Sequence, residues 1–498
     1  MAIGTDVKIA LSAKTATLIS AATSLQDIAY ITKALRDSGE VSSTVQTALT
    51  DKTNTLISTA TSLKEISYLT KALYDNVVAT DGSIIYPYDD SMPYGMLWDD
   101  NTDMYYRLGH NIMTVQQQMR RVVCTGNPQF GGTVYKYLDA TNSALYEDGT
   151  SATADIGGAS NRQVFVEMPK FYYNQYKVGS LNYSWMGINN FAGAVCHPAF
   201  KKTGWTDSGD GSNVANESPF TYISAFEGVR YDTSESVYVD GIDGVDATID
   251  FTATTGDKLG SVVGFKPTSS ITIVQGRVLV SNGGSKQFDW HRYSAMRLCF
   301  IVEYMSHNSQ AKIPGYTDNT SSPNFNNDAL KTGLTISLGN ASGSISGSAN
   351  HLAGGGDGGY NGVVANSYRG IENFYGHLWN FVDAINFSNG QPFVCQIFDT
   401  FASDTFTGAY IRATDTNGVA ITQPTTSGYQ SKLHSGGFLV EAIGASSATK
   451  ITDYYYYNSG NRVLLSGGYL SNGGVAGVGS LNGSLGSGYV SWTIASRL

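Results

Sequence analysis

The chain has 498 residues, of which 41% are hydrophobic, 12% aromatic and only 14% charged, with a formal net charge of −10. That much apolar material supports a sizeable core and excludes wholesale disorder. The acidic balance, with no run of Lys or Arg, excludes a nucleic-acid binder, and the lack of a long apolar stretch or basic amphipathic helix excludes membrane insertion.

The first segment is duplicated. The stretch LSAKTATLISAATSLQDIAYITKAL (11–35) returns as LTDKTNTLISTATSLKEISYLTKAL (49–73). Ser24 with Asp27, and Ser62 with Glu65, make the capping pattern that opens a helix, and Ile28, Ile31 and Leu35 share one helical face. The spacing predicts a short repeated all-α module over 1–79, each copy a pair of short helices. One unit cannot bury its apolar face alone, so docking and oligomerisation are its expected roles. The N-terminus, Met1-Ala2-Ile3-Gly4-Thr5-Asp6, has neither the basic nor the apolar region of a signal peptide, so synthesis in a cytoplasm is expected.

From about residue 80 the composition turns to Tyr, Pro, Asp and Gly, which sets a second domain over 80–498. Residues 163–173 read as strand, turn, strand, and 221–228 alternate like a strand. A β-rich insertion is expected near 229–285. Residues 294–304 (SAMRLCFIVEY) predict a helix that is apolar nearly all round and therefore buried. Cys124, Cys196, Cys299 and Cys395 are scattered without metal-ligand spacing and are expected as buried free thiols.

The stretch 367–383 (SYRGIENFYGHLWNFVD) packs aromatics, charges and glycines into a short span. Tyr368, Arg369, Gly370, Glu372, Asn373, Gly376 and Trp379 are expected as a fold keystone, with Arg369 and Glu372 pairing locally, Asp383 in support and His377 structural. Asp207–Asn213 and the triplet Asp240, Asp243 and Asp246 resemble the start of calcium loops. They lack the D-x-D-x-D spacing and the Glu at position twelve, and ordinary Asp-Gly turns explain them. No cofactor is expected, and calcium is the one candidate. The GGGDGG run at 354–359 has no following Lys-Ser/Thr and reads as a surface loop.

The Gly-, Ser- and Asn-rich stretch 467–489 and the nearby YYYYN at 454–458 have the composition of adaptable binding loops, in which Tyr supplies rigid contact area. Tyr454, Tyr455, Tyr457, Tyr469, Asn472 and Tyr489 are the candidate ligand contacts. The competing reading has these glycines in tight turns between core strands and the tyrosines alternating in and out of a sheet. No nucleophile with a base, and no metal set, marks a catalytic centre.

Six segments occur in order: VFVEMPKFYY (164–173), AVCHPAFKKTGW (194–205), YISAFEGVRYD (222–232), DWHRYSAMRLCFIVEYMSHNSQAKIPGY (289–316), YRGIENFYGHLWNFVDAINF (368–387) and SWTIASRL (491–498). Together they resemble bacteriophage and prophage tail proteins with a C-type-lectin-like domain of the formylglycine-generating-enzyme type, the fold shared by major tropism determinants. The resemblance implies an α+β, loop-rich C-type-lectin-like domain behind the helical module, with the loops 316–350 and 466–488 diverging from relatives. It implies a virion protein at the tail or capsid surface, a tail-fibre or receptor-binding subunit that holds a host-surface glycan or protein non-covalently. Its implied partners are other virion proteins through 1–79, a host receptor and further copies of the chain, a trimer among the options. A capsid head-fibre or decoration subunit, and a particle-borne glycan-processing enzyme, are the alternatives. The enzyme branch depends on paired cysteines near the end of the domain. Cys395 is alone in its region, so no catalytic role is carried over.

Overall fold

The structure, a computed structural model, describes residues 92–202, 216–319, 325–347, 362–397 and 400–498. The chain divides between Asp90 and Ser91, and everything described lies C-terminal to that division. The duplicated module expected over 1–79, the acidic loop 207–213 and the GGGDGG run 354–359 fall outside the described residues.

The α+β expectation is overturned. Among the described residues strands dominate and form five sheets, and only two helices exceed one turn, Ile273–Asn282 and Trp290–Tyr304. No repeated helical module occurs among them. The physical reason is local: short runs with Val, Tyr and Thr, punctuated by Gly, Asn and Asp turns, suit pleated strands and deny a helix its length. The segment 229–285 is mixed. Val229–Asp232, Val237–Val239 and Lys258–Gly260 form a three-stranded sheet, but the segment ends in the helix Ile273–Asn282. That helix is opened by a capping box in which Thr272 and Gln275 satisfy each other's backbone N–H groups.

The helix predicted over 294–304 begins four residues earlier, because Asp289 accepts from the N–H groups of His291 and Arg292. Its last carbonyls are capped from afar: the Arg107 guanidinium donates to Val302 at 2.6 Å and to Glu303 at 3.1 Å. Its apolar faces, including Tyr293, Met296, Leu298, Phe300 and Ile301, all enter the main core. Burial of each such large side chain is worth roughly 1.5–3 kcal/mol, so this helix anchors the domain. The four cysteines are buried and unpaired, and burial pushes every thiol up, which leaves them inert.

The helix packs on a nine-stranded sheet. In spatial order its strands are Tyr410–Arg412, Gln391–Cys395, Trp379–Ser388, Asn461–Gly467, Gly477–Gly483, Tyr454–Tyr457, Gly428–Leu433 and Val440–Ile443, with Ile494–Ala495 parallel to Trp379–Ser388. Strand alternation separates two apolar sets. Val382, Ile385, Leu464 and Tyr455 join the helix in the main core, whereas Trp379, Phe381, Val463 and Leu465 turn to the opposite face and pack with Ile273 and Ile494. The second face is the smaller cluster, and its border carries the candidate site.

Candidate functional site

The stretch 367–383 lies at the centre of the domain, and its polar groups are held by residues distant in sequence. The locally paired Arg369 and Glu372 expected from the sequence are a correction. Arg369 reaches Glu303 instead, with Nη2 at 2.5 Å and Nε at 3.2 Å, and the Tyr368 hydroxyl donates to the same carboxylate at 3.0 Å. Glu372 accepts from the backbone N–H groups of Gly333 and Thr335 and from the Thr335 hydroxyl, each at 2.7 Å. Burial raises its pKa, and the Arg121 guanidinium opposes that rise. The two side chains part because they flank a left-handed turn: Arg369 has φ 49° and Gly370 φ 88°. A Cβ on Gly370 would stand 3.0 Å from Arg121 Cγ, and Arg121 donates to the Gly370 carbonyl at 2.8 Å.

The same region contains further left-handed residues, Asn373, Gly376, His377 and Ala384. Such backbone persists where its surroundings over-determine it. Arg497, fully buried, donates to the carbonyls of Ser224, Glu372 and Asn373 at 2.7–3.1 Å. The Asn373 N–H bonds the Asn366 carbonyl, and the Gly376 N–H bonds that of Gly467. His377 Nε2 accepts the Leu330 N–H at 2.8 Å, so Nδ1 carries the proton toward Glu227, 2.5 Å away. Arg277 grips Asp383 bidentately at 2.7 and 2.9 Å. Trp379 is buried on the far face of the sheet. The charged groups of this stretch are paired, and the polar atoms left without a partner among the described residues, Ser367 Oγ and Asn380 Oδ1, are buried away from any ligand.

The tyrosines separate by strand phase. Tyr455 is 1% exposed in the main core, which corrects its place among the ligand contacts, and Tyr457 packs on the same side. Tyr454 and Tyr456 point the other way and are partly buried. Tyr456, absent from the sequence-derived set, has the same strand alternation as its only advance signal. Its ring lies 4.7 Å from Tyr454 and 5.9 Å from Trp379, and Tyr454 meets Tyr429 edge-on at 5.1 Å. Burial, with the neighbouring phenols of Tyr454, Tyr429 and Tyr469, pushes the Tyr456 hydroxyl up to about 12. Tyr469 joins from the other side of the cluster, edge-on to Trp492 at 6.3 Å. Tyr456 and Tyr469 thus border the Trp379 cluster, with Tyr454 and Tyr429 continuing the row from Tyr456 and Trp492 continuing it from Tyr469, all partly buried. Tyr489 is exposed in a turn closed by its N–H to the Gly486 carbonyl.

The Gly-rich stretch has a packing use. Gly477–Gly483 is a fully buried strand between Asn461–Gly467 and Tyr454–Tyr457. A Cβ on Gly477 would overlap the Asp453 carboxylate, and one on Gly479 would stand 2.7 Å from Arg297 Nη2. The missing side chains make room for Asp453, which accepts the Gly479 N–H at 2.7 Å and so ties down the base of the tyrosine strand. Asn472 is spent on its own turn: its Oδ1 accepts the Tyr469 N–H at 2.8 Å.

Other chemistries find no support in the geometry. Ser294 and His197 are 3.4 Å apart, but His197 Nδ1 accepts the Ala199 N–H. Its Nε2 therefore carries the proton and donates to Ser294, the wrong way round for activating a nucleophile. Within DGIDGVD, Asp246 pairs with Arg230 and Asp240 with Lys331, so cations of the chain already occupy these carboxylates. Among the described residues no cluster of His, Cys, Asp and Glu is arranged to hold a metal ion.

No family model matches the chain, and no curated protein matches it. Among solved structures, the P3c variant of the major tropism determinant is similar at 10% identity, over 82% of this chain and 72% of that one, with a TM-score of 0.26. At that TM-score the likeness is too loose to carry a fold or a function to this chain.

Proposed function

We propose that the chain is a bacteriophage virion protein, a tail-fibre or receptor-binding subunit that recognises a host-surface ligand without covalent chemistry. The observation that carries this reading is the row of Tyr429, Tyr454, Tyr456, Tyr469 and Trp492. These rings are partly buried, touch within two groups, Tyr429–Tyr454–Tyr456 and Tyr469–Trp492, that meet on the Trp379 cluster, and make no hydrogen bond through their hydroxyl or indole N–H groups among the described residues. Rigid amphipathic rings with unspent polar ends give contact area at low entropic cost, as in protein-recognition surfaces generally. The six ordered segments that resemble phage tail proteins support the particle setting. In this reading the duplicated sequence at 1–79 docks on the virion, and several copies of the chain multiply weak contacts by avidity. Among the described residues no helix is long and apolar enough to cross a membrane.

An adsorption competition tests the proposal. Purified full chain added to host cells should block attachment of the parent phage, and the Tyr454→Ala/Tyr456→Ala variant, folded by circular dichroism, should not. Undiminished adsorption in the presence of excess wild-type chain would sink the reading.

A further inference from the structure

We infer that the aromatic row takes an uncharged, hydroxyl-rich glycan chain, an inference that rests on the recognition reading above. Its ring centres form a run, Tyr429 to Tyr454 at 5.1 Å and Tyr454 to Tyr456 at 4.7 Å, above a floor made by Trp379. A run of rings meets an extended ligand at several points rather than a single buried group. The faces of tyrosine and tryptophan carry negative quadrupole density, which attracts the weakly positive C–H faces of sugar rings. Their free hydroxyls donate and accept, as sugar hydroxyls require of a partner.

At the Tyr429 end of the row, the described turns carry no charge. Two turns meet beside Tyr429: a Cβ on Gly474 would lie 3.2 Å from Ser447 Cβ and 3.8 Å from the Tyr429 hydroxyl. These turns read Ser446-Ser447-Ala448-Thr449 and Asn472-Gly473-Gly474. The next residue, Lys450, sends its ammonium to the Asp100 carbonyl at 2.6 Å. The carboxylate nearest in sequence, Asp453, is buried beneath Gly477 and Gly479. An interface for a protein surface ordinarily carries charged groups at its rim, and one for an anionic polymer carries Lys or Arg. A neutral end of hydroxyls, an amide and bare backbone suits a neutral ligand.

The test measures binding of fluorescently labelled full chain to three preparations of host cells: untreated, oxidised with periodate to destroy vicinal diols, and digested with proteinase K. Periodate should lower binding by about tenfold or more, digestion should leave it unchanged, and raised salt should leave it unchanged too. Tyr454→Ala/Tyr456→Ala should match the periodate loss on untreated cells. Tyr454→Phe/Tyr456→Phe, which keeps the rings, should lose only part. Binding that is lost to proteinase K and survives periodate would overturn the glycan assignment while leaving the recognition reading intact. So would binding that falls steeply with salt. Retained binding by the folded double alanine variant would remove this face from the assignment. No binding of wild-type chain to untreated cells would overturn the recognition reading and this inference with it.

Discussion

Two aromatic-rich regions of this protein look alike in composition and behave oppositely in the fold. The stretch 367–383 is buried, left-handed at several residues and held by Arg121, Arg277, Glu303 and Arg497 from elsewhere in the chain. The row around Tyr454 and Tyr456 is partly open, and its polar ends are unspent among the described residues. The difference lies in what the polar atoms do. Aromatic density with satisfied charges marks a structural centre, whereas aromatic density with idle hydroxyls is the basis of the binding role proposed for the row.

The comparison breaks most visibly at Arg497. Arg497→Ala strands three buried carbonyls, so chemical denaturation should show a loss of about 3–5 kcal/mol. If the loss is under about 1 kcal/mol, the left-handed stretch is not held as described. Next comes the contrast within one strand. Tyr455→Ala opens a hole in the main core and should cost about 3–5 kcal/mol, while Tyr454→Ala, one residue away on the opposite face, should cost about 1 kcal/mol or less and, on the proposed function, act on ligand binding instead. Equal losses at the two positions would erase the distinction between the faces.

A smaller effect is expected at Asp453, where burial lifts the carboxyl to about 7 against the pull of the Arg297 guanidinium. Its folded pKa thus lies above its unfolded value near 3.9. The protonated form is favoured in the fold, so the contribution is present at acid pH and is lost as pH rises through about 7. Thermal melts between about pH 5 and about pH 8 should show this loss in the wild type and a flatter profile in Asp453→Asn. The same slope in both proteins would assign the pH dependence to another group. The smallest change is expected from Tyr489→Ala, since Tyr489 is 47% exposed and no ring among the described residues pairs with it. Melting should be unchanged, and any drop in cell binding would extend the recognition row to this turn.

Several local features were legible in the residues alone. The helix at Trp290–Tyr304 showed through its continuous apolar surface, although its true start depended on recognising Asp289 as a cap. The strand, turn, strand reading of 163–173 matches two successive strands, Gln163–Pro169 and Tyr172–Val178, which the fold assigns to different sheets. The fold class was not legible, because many short strands whose partners are far apart in sequence give no signal of how much sheet they add up to. The partner of Arg369 was equally hidden. Residue spacing offered Glu372, three positions away, but the left-handed backbone turned the two apart and Glu303 took the pair.

The run Tyr454–Tyr457, once a strand, sends successive tyrosines to opposite faces, because neighbouring side chains of a strand point to opposite sides. The sequence by itself determined that the small residues of Gly477–Gly483 would let other groups approach closely. Only the tertiary structure decided which pair of tyrosines would be open. That phase is set by the helix Trp290–Tyr304 covering one face of the sheet, and by Asp453, seated under Gly477 and Gly479, fixing the strand that carries them. A shift of one residue in that strand would have buried Tyr454 and Tyr456 and exposed Tyr455, so long-range packing rather than composition placed the partly open tyrosines.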